Sequence, residues 1–292
     1  MGSLSVIRTE QIAEAVCRLY REINTHLRDD VREALEEARE REDSDLARDV
    51  LDTLLENERI SRSEGLPLCQ DTGLAVAFAD VGRRALLTGC LQTAVDEGVG
   101  RAQRQQPLRA SVVENPLRRE NTGDNTPAIV HLRHVEGSAL RLRLMAKGGG
   151  AENMSRVRML APGRGREGVV EEVVASVRDA GANACPPVIV GVGLGGNFEI
   201  SALLAKRALL RDLREPNPDA ELADLEAELL ERLNALGIGP QGFGGRTTAL
   251  GVLVESAPCH IASLPVAINI ECHSHRHGEV TLLGKPRKMS FP

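Results

Sequence analysis

The hydrophobic period of this chain changes once, and that change sets the fold class. From residue 10 to about residue 59 the apolar residues Ile12, Val16, Leu19, Ile23 and Leu27 recur at steps of three and four. Leu46, Val50 and Leu54 do so again behind the acidic start Asp43-Ser44-Asp45. This spacing puts them on one face of a helix. Beyond Glu64-Gly65 the pattern turns to short apolar runs at 74–79, 128–132, 140–146, 188–192 and 249–254, which read as strands. In the third run Leu140, Leu142 and Leu144 alternate with Arg141 and Arg143, as in a sheet with one face in water. Helices are predicted at 167–180, stopped by Gly181, at 199–213, and at 220–236, stopped by Gly237. The expectation is a single α/β domain over 1–292, with a helical N-terminal section (1–64) ahead of a mixed α/β body (65–292). The polar break Arg214-Glu215-Pro216-Asn217-Pro218 reads as a surface loop, not a domain linker.

Composition removes several classes of function. No stretch approaches the run of about 18 apolar residues that a membrane span requires, so no membrane is expected. Lys+Arg number 36 against 42 for Asp+Glu, a net charge of −6, and the aromatic residues amount to one tyrosine, four phenylalanines and no tryptophan. A chain with neither a basic field nor stacking rings is not built for nucleic acid. The start MGSLSVIRTE has no apolar leader and no myristoylation pattern, which predicts a cytoplasmic protein. In that reducing compartment Cys17, Cys69, Cys90, Cys185, Cys259 and Cys272 are expected as free thiols for ligation, catalysis or burial. The absence of a CxxC pair argues against a zinc ribbon or a thioredoxin site.

Gly191, Gly193 and Gly196 spell GxGxxG directly after Val188-Ile189-Val190 and before a helix, where a dinucleotide fingerprint would stand. A second strand ending in an acidic residue about twenty positions on should follow. Instead the helix runs into Asp212 and the proline-containing loop. An anion at the helix N-terminus, or close packing alone, explains the glycines better. Lys147-Gly148-Gly149-Gly150 and Gly242-Phe243-Gly244-Gly245-Arg246 are either loops approaching a ligand or simple turns, and Lys147 lacks the GxxxxGK spacing of a phosphate-binding lysine.

Four cysteines lie in loop-like settings: Leu68-Cys69-Gln70-Asp71-Thr72-Gly73, Ala184-Cys185-Pro186-Pro187, Pro258-Cys259-His260 and Glu271-Cys272-His273. Cysteines beside prolines at element ends resemble metal or cluster ligands more than core thiols. The residues by themselves leave other readings open. Asp71 beside Gly73 suits an Asx-turn. Arg109 suits a solvated surface charge. His260 is an ordinary polar side chain, and His273, His275 and His277 would share one face if extended, so that zinc is an alternative.

The strings LCQDTG, KGGGAENMS, ACPPVIVGVGLGG and ASLPVAINIECH, in this order between Leu66 and Cys272, resemble the class I fumarase and L(+)-tartrate dehydratase family, specifically its α subunit. The resemblance implies an oxygen-sensitive 4Fe-4S cluster held by Cys69, Cys185 and Cys272, with Cys259 the rival for third ligand and Cys17 and Cys90 small buried residues. Three thiolates leave one iron with an open position, a Lewis acid for the hydroxyl added or removed in the reversible hydration of fumarate to L-malate. Dehydration of L(+)-tartrate is the alternative within the same chemistry. By the same resemblance Gln70 and Asp71 line the substrate, Arg109 clamps a carboxylate with its planar fork, and His260 hydrogen-bonds the bound acid. Proton removal needs a positioned base, which the resemblance places in a second domain or a separate β subunit. The sequence ends at Pro292, twenty residues after Cys272, so activity is expected only with a β partner, in an α2β2 assembly acting on a C4 dicarboxylate. Two readings compete from other classes. A non-catalytic iron-sulfur sensor would leave Gln70, Asp71 and Arg109 without a substrate, and a nucleotide-binding enzyme would lack its acidic strand.

Overall fold

The computed structural model describes residues 4–287. The chain forms two compact units, Met1–His26, Ile60–Lys147 and Arg276–Pro292 in the first, Leu27–Arg59 and Gly148–His275 in the second. Its leading elements are β1 (Leu4–Ile7), α1 (Thr9–Thr25), α2 (Asp29–Arg41), α3 (Asp45–Glu64), β2 (Leu74–Gly82), β3 (Ala85–Leu87), α4 (Leu91–Gln105), β4 (Ile129–Val135) and β5 (Ala139–Lys147). Then come α5 (Gly149–Glu152), β6 (Arg156–Leu160), α6 (Gly165–Ala180), β7 (Val188–Gly195), α7 (Phe198–Ala208), α8 (Ala220–Asn234), β8 (Ala249–Ala257), β9 (Leu264–Glu271), β10 (His277–Leu283) and β11 (Lys285–Arg287). This is the α/β chain that the change of period predicts. The units do not follow the expected front and body, because α1 belongs to the first while α2 and most of α3 belong to the second.

In the first unit the sheet order is β10-β5-β2-β4, with β2 parallel to β4 and antiparallel to β5. A smaller sheet, β11-β1-β3, accompanies it. The alternation read from the sequence is realised in β5: Leu140, Leu142 and Leu144 are buried, while Arg141 on the other face pairs with Glu279. Each of those leucines contributes roughly 2 kcal/mol by leaving water. They meet Val16, Tyr20 and Ile23 of α1 and Val95 and Val99 of α4 in one core. The buried face of α1 ends in two polar residues, the fully buried Asn24 and the buried Thr25.

The second unit has the sheet order β6-β9-β7-β8, with β7 parallel to β8 and antiparallel to β9. Val169, Val173 and Val177 of α6 and Leu225, Leu229 and Leu233 of α8 pack on Val190, Val192, Val254, Ile268 and Ile270. Helix α6 ends at Gly181, whose φ of 52° suits glycine, as its sequence position predicts. Helix α7 ends at Ala208, short of the predicted 213, because Leu209 and Leu210 stay buried in a turn that continues the apolar pattern without the helix. Strand β9 lies within the string ASLPVAINIECH, outside the five apolar runs read as strands. Pro265 sits near its start, where a missing N–H disturbs the ladder least, and Val266 to Glu271 are all buried. Among the described residues no helix is long and apolar enough to cross a membrane.

Candidate active site

The turn ahead of β2 carries Cys69, Gln70 and Asp71 in the first unit. The Asp71 side chain does form the Asx-turn that its position suggested, its Oδ1 accepting from the Gly73 N–H at 2.9 Å. The same oxygen accepts from the Ser111 hydroxyl at 3.3 Å, which draws in the loop of Arg109. The Asp71 N–H points at Cys69 Sγ, 3.4 Å away, and Gln70 is exposed beside it. Arg109 is exposed, and its carbonyl accepts from the Asn125 amide at 3.0 Å. Asn125, fully buried at φ 59°, also accepts from the Ser111 N–H at 2.6 Å. One buried amide therefore fixes the loop that offers both Arg109 and Ser111. Cys69, Gln70, Asp71 and Arg109 come together by these bonds.

Cys185 and Cys272 come together in the second unit, at the end of the sheet where β7 begins and β9 finishes. Ile189 of β7 pairs with Glu271 of β9, so the residues on either side of that pair share an edge. The His273 N–H donates to the Cys185 carbonyl at 3.4 Å, and His273 Nδ1 lies 3.1 Å from that oxygen and from the Gln241 amide nitrogen. Gln241, from the glycine-rich 239–245 loop, also donates to the Pro186 carbonyl through its backbone at 2.7 Å and its side chain at 2.8 Å. Cys185 is held in the left-handed region at φ 53°, which costs a non-glycine residue about 1–2 kcal/mol. The loop chemistry around it, two prolines and Gln241, sustains that conformation. Cys272 follows the fully buried Glu271, whose Oε1 accepts from the Cys272 N–H at 3.4 Å. Strand β9 is anchored from α5 and its flank: Asn269 donates to Glu152 at 2.8 Å and to Ser155 at 2.9 Å. Three of the four strings thus hold one another, and the Lys147-Gly148-Gly149-Gly150 cluster is a turn into α5.

Cys259 and His260 lie at the other end of that sheet, in the loop after β8, whose Ala257 pairs with Gly195 at the finish of β7. The eight residues of β7 separate them from Cys185 and Cys272 by roughly 25 Å. The His260 ring accepts from the Ala262 N–H at 3.1 Å, and both residues are exposed. Cys17 is buried as expected, and burial pushes its thiol up from the ordinary value. Cys90 corrects its expectation of burial. It is exposed at the N-cap of α4, where the Thr93 and Gln92 N–H groups and the Thr93 hydroxyl hold its thiol below the ordinary value. None of the six cysteines is in a disulfide.

The histidine alternation is not a shared face. His273 turns to Cys185 and Gln241, the buried His275 ring lies 2.7 Å from the Leu209 carbonyl, and His277 opens β10 in the first unit. The GxGxxG glycines serve packing: a Cβ on Gly191 would stand 2.1 Å from the Ala205 carbonyl oxygen and one on Gly193 2.0 Å from that of Ser201, both on α7. At the start of α7 Asn197 accepts from the Ile200 N–H at 2.9 Å, which occupies a donor that a phosphate would need. Sequence reasoning gave no role to Asn24, Ser111, Asn125, Gln241 or Arg276; only Asn24, a polar residue on an apolar stripe, left a visible signal.

The family model "Fumarate hydratase (Fumerase)" matches residues 13–281. Over 274 residues the chain is 41% identical to a protein of Methanocaldococcus jannaschii assigned as L(+)-tartrate dehydratase subunit alpha, covering 91% of this chain and 95% of that protein. Over 271 residues it is 34% identical to the L(+)-tartrate dehydratase subunit alpha of Escherichia coli strain K12, covering 92% of this chain and 89% of that protein. A match across nearly the whole chain, by family model and by relatives alike, means that the chain belongs to the fumarate hydratase family.

Proposed function

We propose that the chain is the α subunit of an iron-sulfur hydro-lyase that catalyses the reversible hydration of fumarate to L-malate. The observation that carries this reading is the setting of Cys69, Cys185 and Cys272 in a chain of this family. Each stands in a loop at a strand end, and each thiol is at least partly accessible and free of disulfide bonding. Soft thiolates of this kind, with a backbone N–H aimed at Cys69 Sγ, suit a 4Fe-4S cluster. Bound through three protein thiolates, such a cluster supplies a Lewis-acidic iron with an open position for the hydroxyl that is added or removed. The length of β7, which separates Cys259 from Cys185 and Cys272, supports Cys272 over Cys259 as the third ligand.

The chain's own residues bind and orient the diacid. Asp71, fixed through Oδ1 by Gly73 and Ser111, and Gln70 beside it would line the substrate. Arg109 would clamp a carboxylate in two parallel bonds from a loop that Asn125 holds in place. His260 stands too far along β7 to meet an acid bound near Cys185 and Cys272 of its own chain, so its hydrogen bond to the acid would be made in a neighbouring copy. The general base would come from a β subunit in an α2β2 assembly. Supporting this, the chain spans 95% and 89% of relatives that are themselves alpha subunits. The free thiols agree with a cytoplasmic setting. A second reading, L(+)-tartrate dehydration, is favoured by the names of those relatives and differs by one hydroxyl on the substrate. The test is an anaerobic assay of the chain with its β partner on malate, fumarate and both enantiomers of tartrate. Turnover of malate and fumarate above tartrate is expected; tartrate alone would select the second reading, and full turnover by the chain without a partner would overturn the split site.

A further inference from the structure

Arg276 is among the largest fully buried side chains of the described residues, with 1% of its surface exposed. Its guanidinium is always charged, yet among the described residues it forms no ion pair with a carboxylate. Burying an unpaired charge costs several kcal/mol, so the position needs a reason. Arg276 Nη1 donates to the Asp71 carbonyl at 2.7 Å and to the Asn24 side-chain oxygen at 3.1 Å. The Asn24 carbonyl in turn accepts from the Leu68 N–H at 2.8 Å. Both ends of the four-residue stretch Leu68-Cys69-Gln70-Asp71 are therefore held by two residues whose side chains are bonded to each other, Asp71 by the Arg276 guanidinium and Leu68 by the Asn24 backbone carbonyl. Asn24 is fixed by its own amide donating to the Tyr20 carbonyl at 2.8 Å, and Arg276 by its carbonyl accepting from the Ala146 N–H of β5 at 2.9 Å. Tyr20 does not supply a counter-charge: burial pushes its hydroxyl up to about 12, which keeps it neutral.

We propose that Arg276 is a positioning residue that, with Asn24, clamps the turn presenting Cys69, Gln70 and Asp71, and that its buried positive charge is the counter-charge to the anionic groups this turn holds. The second half rests on the functional reading above, because the anionic groups include a cluster thiolate. The clamp itself does not. A guanidinium serves here because one group supplies both the hydrogen bonds and a charge that no pH removes.

The test compares wild type with Arg276→Met, Arg276→Lys and Asn24→Asp. Amide exchange is followed at Leu68, Asp71 and Gly73 in the chain, and the cluster's midpoint potential in the anaerobically loaded complex with the β partner. Loss of charge-assisted hydrogen bonds predicts exchange about 10-fold faster or more at these amides in Arg276→Met, with α4 amides unchanged. The same variant should shift the potential to more negative values. Arg276→Lys keeps the charge, so the potential stays near wild type while protection is only partly restored. Asn24→Asp loses the donation to the Tyr20 carbonyl but keeps an acceptor for Arg276 and gives it a carboxylate partner, so Asp71 stays protected while the potential falls. Should Arg276→Met fail to fold, the other two variants carry both comparisons. Wild-type exchange rates at Leu68 to Gly73 in both Arg276 variants would overturn the clamp, and an unmoved potential in Arg276→Met and Asn24→Asp would overturn the counter-charge. Wild type without iron and sulfide would refute the functional reading and with it the counter-charge, with the exchange data still deciding the clamp.

Discussion

Replacing Gly193 by alanine asks whether the GxGxxG string is a ligand loop or a packing seam. The added Cβ would stand 2.0 Å from the Ser201 carbonyl oxygen, 2.6 Å from the Ala205 nitrogen and 2.9 Å from Leu204 Cβ. Two of those atoms are helix backbone, so no rotamer change relieves them; α7 as a whole must retreat by roughly 1 Å, and overpacking of that kind costs about 3 kcal/mol. The retreat also loosens Leu204, Ala205 and Ala208, which the helix buries. At about 2–4 °C per kcal/mol for a chain of this size, the melting temperature should fall by about 6–12 °C. Gly150→Ala is the control, since its Cβ would meet only the Asn183 carbonyl at 3.8 Å, an ordinary contact. Thermal unfolding followed by circular dichroism, with and without NAD, reads both points. We expect Gly193→Ala to melt well below wild type, Gly150→Ala to melt beside it, and NAD to raise none of the three, because a ligand of the native state must raise the midpoint. A Gly193→Ala midpoint within about 2 °C of wild type, or an NAD-dependent rise, would refute the packing account.

Single alanine replacement of Cys69, Cys185 or Cys272 should abolish the brown chromophore of anaerobically prepared protein, and replacement of Cys17, Cys90 or Cys259 should leave it; loss in Cys259→Ala with retention in Cys272→Ala would reverse the proposed ligand set. Asp71→Asn should keep the chromophore and lower the turnover of the assembled enzyme by about 100-fold or more, the scale of a lost orienting or proton-handling group, and an unchanged rate would remove Asp71 from the site. The Arg214 guanidinium, with Arg28 behind it, holds the Asp212 carboxyl down to about 2 from an ordinary 3.8. A depressed folded-state value means stability that is present above about pH 4 and lost as pH falls towards 2. Asp212→Asn should therefore melt below wild type at pH 7 and converge with it on acidification through that window; a gap that persists at pH 2 would show another cause.

Local periodicity was enough for the elements whose pattern is local. The three-and-four spacing of Ile12, Val16 and Ile23 is realised in α1, and the alternation of Leu140 to Leu144 in β5. It failed where a residue's neighbours in space decide its state. Strand β9 holds the buried Asn269 and Glu271, outside every apolar run read as a strand; Asn269 is satisfied there by Glu152 and Ser155, more than a hundred residues away. In the same way Leu209 and Leu210 extend the apolar pattern of α7 although they pack from a turn. Compact units made of discontinuous segments are likewise invisible to a reading that moves along the chain.

The site divides by the same rule. Residues that would touch a cofactor or a diacid need accessibility, so they sit in loops among glycine and proline, and those neighbours are written beside them, as in Cys69-Gln70-Asp71-Thr72-Gly73. Residues that hold such loops still need burial, and a buried polar group is recognisable only by the partner that satisfies it. Asn125 stands 14 positions from Ser111, and Arg276 stands 205 from Asp71. Neither spacing corresponds to any local motif. A buried guanidinium with no carboxylate partner among the described residues is tolerable only if something anionic or strongly dipolar faces it, so Arg276 constrains the chemistry of the turn more tightly than any exposed residue of that turn does. Information about what this site holds thus resides in its supports as well as in its ligands, and the supports are legible only once the chain is folded.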